Sequence, residues 1–137
     1  MAYDYEIHPQ HGLVLIRGVG VKWTGRDILE SAEAIVADDD FAPGYDWVYD
    51  VRSVHQTVMT SDEMDRIVER FRTYQETGQV DAESCSVIVG TDKDLHFSGT
   101  LYQHKANRPD DQFTIVPTLD DAWEWLGVEA PASELPE

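Results

Sequence analysis

CSVIVGTDKDLHFSGTLYQHKA, from Cys85 to Ala106, is the stretch that decides the fold. Cys85-Ser86-Val87-Ile88-Val89 is short and rich in β-branched residues on both faces, which suits a strand buried inside a covered sheet. Beyond Gly90, Thr91 stands three residues ahead of Asp94 and opens a helical pattern. Leu95, Gly99, Tyr102 and Ala106 form one stripe of that helix, with Phe97 and Leu101 beside it. A Thr hydroxyl accepts from a free amide of the first turn while the carboxylate three residues on reaches back, so Thr91 and Asp94 read as a capping box. Gly99 costs helix propensity, which points to a close approach to the backbone there.

The same unit recurs on either side. Thr24 precedes Asp27, Thr60 precedes Glu63 and Thr118 precedes Asp121, each by three, and each pair opens an apolar helical face. Ile28, Ala32, Ile35 and Val36 make the first face, Met64, Ile67, Val68 and Phe71 the second, and Leu119, Ala122, Trp123 and Leu126 the last. Gly78 and Gly127 close the second and fourth helices. Leu13 to Ile16, Trp47 to Tyr49 and Phe113 to Val116 are the other strands that lead into helices. At the start, Tyr3, Tyr5 and Ile7 alternate with Asp4 and Glu6 before a turn containing Pro9 and Gly12, which adds a half-buried strand. The expected architecture is therefore α/β: a five-stranded mixed, mostly parallel sheet with four helices, in one domain over residues 1–127. VEAPASELPE, residues 128–137, has no apolar periodicity and is expected to be a disordered acidic tail.

One hundred and thirty-seven residues at 42% hydrophobic content suffice for one core and are too few for two ordinary domains. Ten Lys plus Arg against 27 Asp plus Glu give a formal charge of -17, which repels phosphate backbones and argues against nucleic-acid binding. No apolar run approaches the ~20 residues of a membrane span, and no basic and apolar leader opens the chain, so a cytoplasmic protein is expected. The 16 Asp are spread over the chain, and a salty cytoplasm would screen their repulsion, so a halophilic source is the preferred explanation. The lone Cys85 is expected to be a core residue.

The order of elements, the segment DDDFAPGYDWVYDVR from Asp38 to Arg52, Thr60-Ser61 at the second helix and LDDAWEWLG from Leu119 to Gly127 together resemble the STAS fold, closest to the SpoIIAA-like bacterial proteins. The resemblance implies a non-catalytic regulatory module that docks to a protein partner. It also nominates a Ser at the start of the second helix as a phosphorylation switch. That place holds Thr60-Ser61-Asp62-Glu63 here, without the usual Gly, and a phosphate on Ser61 would meet Asp62, Glu63 and Asp65. Thr60 and Ser61 are accordingly expected to serve as helix caps. The same winding is similar to CRAL-TRIO domains, which implies a small-molecule or lipid carrier as the competing function.

No Gly-x-Ser-x-Gly elbow is present, and Gly18-Val19-Gly20 lacks the rest of a nucleotide loop. His8 and His11 flank a Pro turn with no third ligand near in sequence, so no metal or other cofactor is expected. An enzyme using Asp50 as a base would need a partner group that the sequence does not identify. In parallel sheets, ligands gather outside the carboxyl ends of the strands, where Asp50, Arg52, Thr60, Ser61, Thr91 and Asp92 should lie. Arg52 is the candidate for holding an anion, with an ion pair to Asp50 as its structural alternative. For the carrier, an apolar pocket beneath the third helix would be lined by Leu95, Phe97, Gly99, Leu101 and Tyr102. Trp123 and Trp125, two apart on one helix, suggest an exposed Trp as the anchor of a homodimer.

Overall fold

The computed structural model describes residues 3–132. In chain order the elements are β1 (Tyr3–His8), β2 (Leu13–Gly18), β3 (Lys22–Thr24), α1 (Gly25–Val36), β4 (Asp46–Asp50), β5 (Gln56–Val58), α2 (Ser61–Glu76), β6 (Ser86–Val89), α3 (Lys93–Ala106), β7 (Phe113–Val116) and α4 (Leu119–Leu126). The main sheet has the order β1-β2-β4-β6-β7; β1 runs antiparallel to β2 and all other neighbours are parallel. This is the five-stranded mixed sheet with four helices that the repeating strand, cap and helix pattern implies.

Alternation along the strands sends residues to two faces. Val14, Ile16, Trp47 and Tyr49 face α1, α2 and α3 and form the larger core with Ala32, Ile35, Tyr74 and Leu95. Leu13, Leu15, Val48, Val87 and Val89 face α4 and pack on Ala122 and Trp123. Central strands covered on both sides in this way must be apolar on both faces, which is why β2 and β6 carry unbroken aliphatic runs.

Thr24 and Thr60 complete reciprocal capping boxes with Asp27 and Glu63. In α4, Thr118 Oγ1 accepts from Asp121 N at 3.1 Å. The expectation for α3 is corrected by one residue: its cap is Asp92, whose carboxylate accepts from Leu95 N at 3.3 Å, and not Thr91 with Asp94. Asp caps as well as Thr, so two adjacent candidates compete and the backbone turn decides. The expected tail boundary also moves, because Val128 packs on the α4 core and its amide bonds to Trp123 O at 3.0 Å. Residues 133–137 of that expected tail lie outside the described residues.

A second, two-stranded parallel sheet, β3 with β5, lies beyond the main one and was not expected from the sequence. Its Trp23 is buried and sits over Gly18, where an added Cβ would come within 2.9 Å of the indole.

Candidate functional site

Asp50 and Arg52 stand where expected, at the carboxyl end of β4, but they hold each other. Arg52 Nε and Nη2 lie 2.9 Å from the two oxygens of Asp50, a bidentate pair. Arg17, which the sequence reading passed over, reaches the same carboxylate with Nη2 at 3.2 Å. Its place follows from register: Arg17, next to last in β2, lies directly beside Asp50 on the α4 side of the sheet. Only 3% of its side chain is exposed, and its Nε and Nη1 have no hydrogen-bond partner. Asp50 is therefore the shared counter-ion of two guanidinium groups. A carboxylate held in this way is poorly suited to act as a base.

Thr60 is the cap of α2 and its hydroxyl accepts from Glu63 N at 3.1 Å. Ser61 is the exposed first residue of that helix, and Thr91 and Asp92 are exposed at the start of α3. All four follow the carboxyl ends of strands, yet the crevice between them is filled. Trp23, Val51 and Leu95 are buried there.

Free space begins beside Trp23 and Leu95, which also line it, and runs between α2, α3 and the sheet. A partly open cavity of about 60 Å³ is walled by Tyr49 and Ile88 from the sheet, Met64 from α2, and Leu95, Gly99 and Tyr102 from α3. Gly99 is where α3 meets the sheet, since a Cβ there would come 2.6 Å from Ile115 Cδ1. Leu95, Gly99 and Tyr102 thus stand where the sequence reading placed them. Phe97 does not: it is 72% exposed. Two residues along a helix turn a side chain by about 200°, so Phe97 points away from the face that Leu95 and Gly99 present to the sheet. Leu101 is half-buried and outside the wall. Tyr49 on the floor of the cavity was missed, because a Tyr in an apolar run reads as core.

No family model matches the chain, and no curated protein matches it. Among solved structures the chain is similar to an uncharacterized protein of the DUF3478 family with a SpoIIAA-like fold, from Shewanella loihica PV-4. Identity is 16%, the TM-score is 0.52, and 91% of this chain and 92% of that chain are covered. The fold is SpoIIAA-like.

In this SpoIIAA-like frame the remaining sequence candidates have structural partners. Cys85 is half-buried, its thiol lies 3.6 Å from Asp111 O, and burial with the nearby Asp46 pushes its pKa up, away from a reactive thiolate. Trp123 is buried and Trp125 packs partly on the same α4 core, so neither is the exposed anchor expected for a homodimer. Among the described residues no helix is long and apolar enough to cross a membrane, and no group of His, Cys, Asp or Glu is arranged to hold a metal ion.

Proposed function

We propose that this SpoIIAA-like chain is a non-catalytic, STAS-type binding module that takes a small apolar molecule in the cavity beneath α3. The observation that carries the reading is the cavity itself. Protein interiors are close-packed, and an apolar void in a core this small is a cost unless something fills it. The engagement of Asp50 by Arg17 and Arg52 and the raised thiol of Cys85 support a role without catalysis.

Size limits the occupant. About 60 Å³ is well below the roughly 300 Å³ at which pockets for drug-sized ligands begin, so a lipid of the kind carried by CRAL-TRIO domains does not fit the cavity as it stands. A few heavy atoms do, and a molecule the size of a substituted benzene enters only as the flexible Met59 and Met64 in the wall give way. Xenon is a suitable neutral probe. Titration followed by amide chemical shifts should saturate at residues of β4, β6 and α3, and Ser98→Phe, which adds a ring at a wall residue, should abolish the response. Shifts that never saturate, or that persist in Ser98→Phe, would refute the reading.

Docking to a protein partner is the second reading, and two exposed apolar side chains favour it. Val21 is 65% exposed and Phe97 72% exposed, and the charge of -17 would favour a basic partner. Val21→Asp with Phe97→Asp should abolish recovery of a specific partner from cell extract at native salt while leaving the xenon response intact. Unchanged recovery would count against this surface.

A further inference from the structure

We infer that the cavity beneath α3 selects an uncharged, mainly apolar molecule carrying one oxygen that accepts a hydrogen bond, and that Tyr49 is the residue that reads that oxygen. This rests on the cavity reading above and names the chemistry of its ligand. The polar side-chain groups of the wall are the hydroxyls of Tyr49, Tyr102, Ser86 and Ser98 and the indole N–H of Trp23, and none of the wall residues carries a formal charge. The wall itself carries no cation for an entering carboxylate, in a chain whose formal charge is -17; the guanidinium behind Tyr102, that of Arg108, is bonded to Ser84 O and Gln112 O.

Among these hydroxyls only that of Tyr49 belongs to a buried residue. The residue is only 9% exposed, its ring stacks on Trp47 with centroids 6.3 Å apart, and no hydrogen bond reaches its hydroxyl from any described residue. Its oxygen is not sealed inside the core, so on the wall of an apolar cavity the unpaired phenol can offer its proton to an acceptor that enters. Tyr102 is only half-buried, and its Oη accepts from Arg108 Nη1 at 3.5 Å while its own proton stays available as a second donor. Burial, with Tyr102 beside it, pushes the Tyr49 pKa up and keeps the hydroxyl in its donating form across the physiological range. Its place at the centre of the sheet, on β4 between β2 and β6, fixes the donor rigidly.

Acetophenone, its hydrocarbon analogue cumene and the charged benzoate form the test set, titrated by chemical shift into the wild-type chain and Tyr49→Phe at high salt. Tyr49→Phe should weaken acetophenone about 3- to 10-fold, the range of one hydrogen bond, and leave cumene unchanged or tighter. Benzoate should not bind either form. Wild-type protein gives a second reading that needs no variant: the carbonyl stretch of bound acetophenone should move to lower frequency, as it does when a hydrogen bond is donated to it. Equal effects of Tyr49→Phe on acetophenone and cumene, or an unshifted carbonyl, would overturn the role of Tyr49 and leave the cavity standing. Tight benzoate binding would overturn the uncharged class. Failure of all three probes together with xenon would remove the cavity reading and this inference with it.

Discussion

Replacing Asp50 with Ala should be among the most damaging single changes in this chain, and replacing Arg17 with Met one of the mildest for a buried charge. Asp50 accepts from Arg17 Nη2 and from Arg52 Nε, Nη2 and backbone N, at 2.9 to 3.2 Å. Its removal leaves Arg17 with 3% of its side chain exposed and no counter-ion, while Arg52, with 36% of its side chain exposed, can turn towards solvent. Breaking a buried pair from one side costs about 3–5 kcal/mol. Arg17→Met loses one charged hydrogen bond, worth about 1.5–3 kcal/mol, but also removes the unpartnered Nε and Nη1 donors, each costing about 1–3 kcal/mol to bury. The two removed donors, about 2–6 kcal/mol together, at least offset the lost bond, so Arg17→Met should not destabilise, and Asp50 keeps its bidentate partner.

The assay is urea unfolding at high salt, where the charge of -17 is screened. With a slope of about 2 kcal/mol per molar urea, Asp50→Ala should lower the midpoint by about 1.5–2.5 M. Arg17→Met should fall no more than about 0.5 M below wild type. The double variant should be more stable than Asp50→Ala alone, because the second change removes the charge that the first leaves stranded. If Arg17→Met proves as damaging as Asp50→Ala, the unpartnered nitrogens of Arg17 are not a burden and the reasoning is wrong.

Thr60→Ala should lower stability by about 0.5–2 kcal/mol in thermal melts, since it removes the α2 cap, whereas Ser61→Asp should stay within about 0.5 kcal/mol of wild type. Burial raises the pKa of Asp46 although Cys85 N donates to it, so the folded state holds that proton more tightly than the unfolded chain. This contribution to stability is present at low pH and is lost as pH rises from the ordinary aspartate value of about 3.9 through the raised one. Asp46→Asn, which keeps the acceptor for Cys85 N, should therefore stabilise the protein at neutral pH and make no difference near pH 3, as measured by melting temperature against pH. Melting temperature should also climb with added KCl up to molar concentration, because cations screen the -17 charge; a flat curve would remove the case for a halophilic source.

Four strand and helix units were legible because a strand pattern leads into each helical one, and in three of them a Thr three residues ahead of a carboxylate is the actual cap; in α3 that signal lies one residue early. Lys22–Thr24 and Gln56–Val58 gave no such signal. Each is a three-residue strand that exists through pairing with a partner more than thirty positions away, and no local pattern reports that. Arg17 was hidden for a similar reason. A charge at the end of LVLIR is visible in the sequence, but its meaning depends on the register that sets it beside Asp50. Phe97 misled because apolar character was read without its angle around the helix, whereas Leu95 and Gly99, four apart, share a face.

The filled crevice and the open cavity have one structural cause. In a parallel sheet the carboxyl ends of the strands normally leave the crevice in which ligands bind. Here β3 and β5 lie over that end with Trp23 buried against Gly18, and the ion pairs of Asp50 tie β2 to the segment after β4. The void lies under α3 instead, beside the close contact that Gly99 makes with Ile115. Tyr49 and Asp50 are consecutive on β4 and so face opposite sides of the sheet, the hydroxyl towards the cavity and the carboxylate towards Arg17. One strand thus carries the binding group on one face and the charge lock on the other. Tyr49→Phe should consequently change probe affinity with little effect on the urea midpoint, and Arg17→Met should leave acetophenone binding intact. Loss of acetophenone binding in a folded Arg17→Met protein would show that the two faces of β4 are coupled, and that the charge lock itself shapes the cavity.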